Sequence, residues 1–595
     1  MCIRDRDGEV VIRDAEYWRA TAETAEIVPS DTLQGVILSR VDRLDAELKE
    51  TLQVASVLGV SFPVSLLEQV TESESLSGSL RKLEGAEMLI RRRLGNEWEY
   101  HFRHPLIHDV VYHSLLAEDR AKLHEKSGIA IETMHTDNLD DYTDLLAHHY
   151  GHSDNVEKAL EYLILAGDNA RKQASYWEAL DYYGMAMERA ERLTDEQRRK
   201  QMIVDLVIKR SFARHWLGAL KPDIKEHEKY LELVGELGDK DKTRSFYFYL
   251  ASHCLWTFED FGRLEKYCER LASTGEDAVI QRIEKVFGKG YERLRCYEFF
   301  AKGRHEEAIT IAGQIWEVVK TQAMEGNVFL APANKAEIAY YITHPLNFPW
   351  IIARIYAAMG RWSESLSACQ TMLDVAVSNS DSAYIIRGHA ELGNTYLAMG
   401  EWDKAIADCE TALNMSPSGI FIPLVATQLG DAYCKTRQID KGIALLERWK
   451  TYTKNVGRGA FFECEYCLPL AEGYLMQEDT SRARTNADET LQIAQKHGYA
   501  LHEAKAYRIL GEIIAQTDFP SAEETFSRSL DIMQRIKARN EEGKTELSWG
   551  RACKQNGRMA EAKEHLTRAE EIFEKLGTTR YLEWTREACF IFYNR

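Results

Sequence analysis

Histidine is the residue type whose spacing first suggests chemistry in this chain. His104 and His108 stand four apart, and His148, His149 and His152 cluster further on. Two imidazoles one helical turn apart can bind zinc. Neither group has an HExxH motif or a cysteine partner, so both read as surface or capping histidines, and no metal site is expected. Cys464 and Cys467 form a single CxxC. Without a second Cys/His pair they read as two helix thiols. The stretch from Ala538 to Thr545 satisfies a permissive phosphate-loop pattern through Gly543, Lys544 and Thr545. A working loop needs a strand before it and a helix after it, so that backbone N–H groups cradle phosphate. Here both flanks, 526–536 and 546–554, read as helices, Gly543 reads as part of an inter-helix turn, and the match is a coincidence. Arg91–Arg93 form a basic run of the kind that contacts DNA phosphates, but the nearby Glu47–Glu50 region is acid-rich. The run reads better as a salt-bridged wing facing a neighbouring domain. No GxSxG elbow, cyclase metal motif or isolated carboxylate pair is present, so no catalytic residue is assigned and no enzyme activity is expected.

The elements that carry these residues repeat. The clearest copy is LGNTYLAMGEWDKA, with Gly393, Tyr396, Gly400 and Ala405 at fixed offsets. Ala353, Tyr356, Gly360 and Ser365 follow the same rule. So do Gly430, Tyr433, Arg437 and Gly442, then Ala471, Tyr474, Glu478 and Ala483, then Gly550, Cys553, Gly557 and Ala562. Earlier copies are Gly167, Ala170, Ala174, Ala179 and Cys296, Phe299, Gly303, Ala308, and a looser one starts at Gly511. From residue 353 the starts fall at 353, 393, 430, 471, 511 and 550, which is 37 to 41 apart. Such a period signals a helical solenoid. The small first residue admits a neighbouring helix, and the aromatic three residues on fills the gap between helices. The turn residue ends helix one, where glycine adopts the left-handed conformation readily. Trp177, Trp362 and Trp402 recur just past the turn and read as wedges between helices. The consensus resembles the tetratricopeptide repeat, although that family's period is ~34. The gap from Cys296 to Ala353 is 57, and Pro332, Pro345 and Pro349 fall in it, so an insertion with a loop or irregular hairpin is expected near 324–350.

Composition agrees with a helical array. The 595 residues exceed one compact core, and only 11 are proline. A net charge of -19 argues against broad nucleic-acid or anionic-membrane binding. No apolar run approaches the ~18–20 residues of a membrane span. The start, MCIRDRDGE, lacks the apolar stretch of a signal peptide. The 11 scattered cysteines, such as Cys369 and Cys409 in predicted helices, fit a reducing cytosol, and a cytoplasmic location is expected.

Residues 1–118 read differently. Glu9–Arg13 and Tyr17–Ala20 suggest a short hairpin. Asp31 caps a helix with the apolar stripe Leu33, Val36, Ile37, Val41, Leu44. Further helices are predicted over 46–58, 64–70 and 76–84. A strand pair over 88–94 and 97–102 turns at Gly95-Asn96, and another helix starts at Pro105. Helices followed by such a wing describe a winged helix. The runs PSDTLQGVILSRVDRL (29–44), ASVLGVSFPVSLL (55–67) and YHFRHPLIHDVVYHSLL (100–116) resemble the segment after the ATPase core of bacterial STAND-type signalling ATPases. AHHYGHSDNVEKALEYLILAGDNA (147–170) is similar to the start of their terminal repeat array.

That resemblance implies a remnant of an upstream ATPase domain over 1–28, a winged helix over 29–118 and a tetratricopeptide-like array over 119–595. The fold class is then mostly α: a right-handed solenoid of roughly a dozen hairpins behind a small α+β domain. The family's P-loop domain would precede residue 1, with ATP or ADP as its cofactor and none in this chain, and MCIRDR itself fits nothing in the family. The output there is often a nucleotide cyclase or a DNA-binding domain. His104, in FRHPLI, resembles the winged-helix histidine that senses ADP phosphate, although Pro105 stands where the family has an acidic residue. The expected partners are a protein, peptide or small effector on the array and the upstream ATPase domain. The alternative is a stand-alone winged-helix DNA-binding regulator whose array is the sensor.

Overall fold

The computed structural model describes residues 4–5, 8–9, 11–14, 17–20, 31–71, 75–94, 97–274, 293–324, 346–415 and 421–593. By internal contacts the chain divides into two units, Met1–Arg199 and Lys200–Arg595.

In the first unit, strand β1 (Arg4–Asp5) pairs with β2 (Gly8–Glu9), and β3 (Val11–Asp14) with β4 (Tyr17–Ala20). The order then runs α1 (Asp31–Asp42), α2 (Ala46–Leu58), β5 (Ser61–Pro63), α3 (Val64–Thr71), α4 (Leu76–Gly85), β6 (Leu89–Leu94), β7 (Glu97–Phe102) and α5 (Pro105–Ser114). Local chemistry sets these bounds: Asp45 caps α2 by accepting from the Leu48 N–H at 2.9 Å. The sheet is antiparallel, ordered β5-β7-β6, and Phe62 of its edge strand is buried with Val41, Leu52, Leu67, Leu83 and Val111. The stripe expected on α1 is narrower than its sequence suggests. Ile37 and Val41 are buried, but Val36 is 58% exposed, because it stands about 100° round the helix from Ile37. Leu44 lies beyond the helix end, and the side chain of Leu33 is outside the described residues.

The unit continues with α6 (Ala117–Met134), α7 (Thr143–Gly151), α8 (Val156–Lys172) and α9 (Tyr176–Ala190). The pair α8 and α9 is the first repeat-like hairpin. A Cβ on Gly167 would meet the Tyr183 ring at 2.5 Å, so the small residue is needed for the helices to touch. Trp177, expected as a wedge, is instead 54% exposed.

The second unit is an array of helical hairpins. Arg210 of Glu196–Leu217 bonds Glu226 of Leu220–Leu237, Lys240–Thr257 pairs with Phe261–Ala272, and Arg295–Ala301 with His305–Met324. Next come Asn347–Met359 with Trp362–Ser378, Ser382–Met399 with Trp402–Met415, and Ile422–Lys435 with Ile439–Val456. Ala460–Met476 with Thr480–His497, Ala500–Ile514 with Phe519–Arg535, and Arg539–Gln555 with Met559–Leu576 follow, and Thr579–Tyr593 closes the array. The small residues act as the spacing implies: a Cβ on Gly393 would meet Cys409 Sγ at 2.5 Å. The turn slots of every copy but the looser one at Gly511 take the left-handed conformation, including Ala174, Arg437 and Glu478, where a side chain makes it unfavourable by about 1–2 kcal/mol.

The insertion expected near 324–350 falls mostly on residues 325–345, with Pro332 and Pro345, outside the described residues. Pro349, expected in a loop, lies in the first turn of Asn347–Met359, where its missing N–H leaves no intrahelical bond unmade.

The array winds back on itself. The Trp362 indole donates to the Leu576 carbonyl at 2.5 Å, and Trp402 packs on Tyr581 and Trp584. Tyr499 bonds the Phe258 carbonyl and Tyr452 the Leu217 carbonyl. Gly360 shows the consequence. Besides its φ of +79°, a Cβ there would meet Leu576 at 2.7 Å. No described helix is long and apolar enough to cross a membrane.

Candidate functional site

From Asn347–Met359 onward, the first helix of each hairpin packs on the first helix of the next, so these helices form the inner wall of this part of the array. Charged side chains are buried among the apolar residues of these helices. Arg354 reaches Glu391 at 3.0 Å and Glu465 at 2.8 Å, and Glu465 also meets His502 Nε2 at 2.8 Å. Burial by itself would raise the Glu465 carboxyl, but Arg354 and His502 outweigh it and hold it well below the usual carboxylate range. Burial dominates at Glu391, which is fully enclosed, and raises it. Two turns further along the same helix, Glu472 takes both Lys435 and Arg508. Lys544 donates to Glu541 at 2.7 Å. Burial opposes ionisation of Glu541, yet Lys505, Lys544 and Arg508 bring it down to about 2.

Of these, Arg354, Lys435, Glu465, Glu472, His502, Glu541 and Lys544 line two adjoining cavities of about 120 Å³ and 70 Å³. Asn394, Ala398, Glu465, Lys505 and Glu541 belong to both. A water needs only about 10–15 Å³ by this measure, so the space holds several waters. The walls hold unused hydrogen-bonding capacity. His502 Nδ1 and Asp431 Oδ1 are buried without hydrogen-bond partners, Lys435 approaching the latter only to 3.9 Å. Pro469 lines the larger cavity inside its helix and cannot donate to the Glu465 carbonyl, which loses its intrahelical bond. A third recess of about 20 Å³ is lined by Trp256, Trp350, Phe421 and Phe462 beside two buried arginines, Arg387 and Arg458. Arg387 donates to Asn347 at 2.6 Å and lies 4.3 Å from the Trp350 ring.

Sequence reading missed this wall, although a signal was present. The residue following the small repeat residue is Arg354, Asn394, Asp431, Glu472, Glu512 and Arg551 in successive copies. A polar residue recurring next to a core position marks a second inward face, and four of these six line the cavities.

The residues singled out from sequence land elsewhere. Gly543, expected in a turn, is inside the helix Arg539–Gln555, where a Cβ would press on Ile572 and Phe573 at 2.9 Å. Its neighbour Lys544 belongs to the cavity wall. Cys464 and Cys467 are buried thiols on one inner helix, and burial raises both. His104 caps α5, its exposed ring accepting from the Leu106 N–H at 3.2 Å. His108 faces away from it, bonded to Asp109 and the Ser56 carbonyl. Arg91 and Arg93 stack over the half-exposed Trp98 at 4.2 Å and 5.8 Å. His148 and His152 meet a residue not foreseen, His124 of α6.

Residues 389–419 match the family profile described as tetratricopeptide repeat. They span the clearest sequence repeat. No curated protein matches the chain. Among solved structures, a Rap protein complexed with competence and sporulation factor is similar at 11% identity and TM-score 0.40, over 71% of this chain and 99% of that one. A signal transduction ATPase with numerous domains (STAND) and a tetratricopeptide repeat sensor, from Pyrococcus horikoshii, is similar at 13% identity and TM-score 0.33. That match covers 83% of this chain and 64% of the STAND protein. The apo quorum sensor NprR from B. thuringiensis is similar at 14% identity and TM-score 0.35, over 59% of this chain and 97% of that one.

Proposed function

We propose that this chain is the regulatory, ligand-binding part of a multidomain signalling ATPase linked to a nucleotide cyclase or to transcription. The array binds a protein, peptide or small effector in its polar interior. A winged helix over 29–118 hands that event to a nucleotide switch in an upstream ATPase domain. The carrying observation is the pair of partly open cavities walled by Arg354, Asn394, Asp431 and Glu472 from consecutive repeats, with buried polar atoms left unbonded. Such atoms are unfavourable by about 1–3 kcal/mol each, and a bound ligand with backbone-like donors and acceptors recovers that. Coupling requires that the ligand favour one of two states of the switch.

His104 is the residue proposed to contact ADP phosphate. Its Nδ1 accepts the Leu106 N–H, so a neutral ring carries its proton on Nε2, a donor at a helix N-terminus. The protein works in the cytoplasm in this reading, and this chain has no cofactor of its own. The exposed arginines beside Trp98 favour a second reading, a free-standing winged-helix regulator that binds DNA.

Two experiments test the proposal. Sequencing the coding DNA upstream of Met1 is expected to show a continuous frame with a P-loop; an in-frame stop before Met1 supports the second reading. Panning a random peptide library against the full chain is expected to enrich sequences that an Asp431→Asn, Lys505→Met variant no longer holds. Enrichment indifferent to that variant places binding outside the cavities and overturns the site.

A further inference from the structure

The first unit holds a group of imidazoles that the proposed function does not use. His124 comes from the middle of α6; His148 and His149 come from the last turn of α7, and His152 follows directly. One ring nitrogen each of His124, His148 and His152 lies within 4.8 Å of the other two. His124 and His149 are fully buried, whereas His148 and His152 face solvent, so the group has a closed floor and an open mouth.

The hydrogen bonds orient the rings as ligands need. His152 Nδ1 lies 2.7 Å from the His148 carbonyl and must donate to it, which leaves the Nε2 lone pair free. His124 Nε2 is 2.9 Å from the Tyr112 hydroxyl, and its Nδ1 is 3.1 Å from His149 Nδ1. With the Tyr112 hydroxyl accepting from Nε2–H, His124 Nδ1 carries a lone pair that His149 Nδ1–H donates to, and a metal ion takes that lone pair in place of His149. A hydrogen bond from the far nitrogen is the usual support of a metal-bound histidine. His149 Nε2 is buried with no partner at all.

The groups that act on His124 electrostatically are other imidazoles and one arginine: His149, His152, His148 and Arg120.

We propose that His124, His148 and His152 form a zinc site joining α6 to α7, with water or a ligand group in the fourth position. Three imidazoles without thiolate or carboxylate suit zinc, with copper and nickel as the chemically nearest competitors. Zinc–nitrogen bonds of about 2.0–2.1 Å in a tetrahedron put the nitrogens about 3.4 Å apart. The ring nitrogens span up to 4.8 Å, so binding requires the two exposed side chains to rotate inward.

The test uses the full chain without a histidine tag, stripped with chelator and titrated with zinc chloride by calorimetry. One tight equivalent is expected. His148→Ala and His152→Ala each weaken it by more than the roughly 10–100-fold that loss of even an outer-shell partner causes. Both residues are exposed, so the metal-free variants keep the parent's melting temperature and folding failure does not confuse the result. His113→Ala, an exposed histidine nearby, leaves the affinity unchanged. Cobalt(II) in place of zinc gives intense visible bands of tetrahedral nitrogen coordination that vanish in His152→Ala. Absence of saturable zinc binding overturns the proposal, as does an affinity indifferent to both variants.

Discussion

His215, His227 and His253 in the second unit gather round a carboxylate, whereas His124, His148, His149 and His152 in the first unit gather round none. Asp223, fully buried, accepts from His253 Nδ1 at 2.9 Å and Ser211 Oγ at 2.9 Å, and pairs with His227 at 3.2 Å and Arg214 at 3.2 Å. His215 Nδ1 in turn lies 3.2 Å from His253 Nε2. Each ring has a carboxylate or a neighbouring ring to bond, and the cluster is a closed structural knot. In the first unit the only described hydroxyl bonded to the group is Tyr112, and the rings otherwise face one another. The same residue type therefore serves packing where a carboxylate fixes its protons, and offers lone pairs where none does.

The largest expected effect breaks the carboxylate side of this comparison. Asp223→Ala leaves Arg214 and the buried imidazoles without their partner, a change worth about 3–5 kcal/mol of stability. Urea unfolding of the full chain measures it, and a loss below about 1 kcal/mol would show that the knot is dispensable.

Acid titration probes the same residue. Burial would raise the Asp223 carboxyl, but His227 and His253 more than offset it and hold it well below its ordinary value near 3.8. A depressed carboxylate contributes stability that is present above its unfolded-state value and is lost as pH falls below it. Stability is thus expected to fall by about 1.4 kcal/mol per pH unit below that point from this group alone. Asp223→Asn removes that share of the slope. Identical acid limbs in the two proteins would assign the loss to other carboxylates.

On the imidazole side the metal-free effects are smaller. Tyr112→Phe deletes one hydrogen bond to His124 and is expected to lower stability by about 1 kcal/mol. His148→Ala, at an exposed position, is expected to stay within about 0.5 kcal/mol in the absence of zinc. A large loss there would mean that the outer histidines are structural after all, and the contrast between the two clusters would disappear.

How much was legible varies along the chain for a physical reason. Helix α2 spans the predicted residues, and the strand pair β6 and β7 lies within one residue of its expected bounds. Caps and turns at such ends are decided by neighbouring residues. The repeat spacing located Gly167, Gly393 and Gly550 at helix contacts, because 3.6-residue periodicity records which face meets the hairpin partner. It misplaced Gly543 and Trp177, where one apparent motif and one recurring position were read without their surroundings. The inner wall lay half-hidden. Its marker was the polar residue after each small one, but a pattern on one helix does not say which way an array curves.

The sequence by itself determined a mostly helical chain of hairpins with a small α+β module before it, through local propensities and close-packing residues. Only the tertiary structure decided that Trp362 and Trp402 are covered by residues from the end of the array. It also decided that Arg354 meets Glu465, and that His124 meets His148 and His152. These contacts join separate helices, and they follow from the small rotation between successive elements. That rotation accumulates from the packing of all of them and is written at no single position.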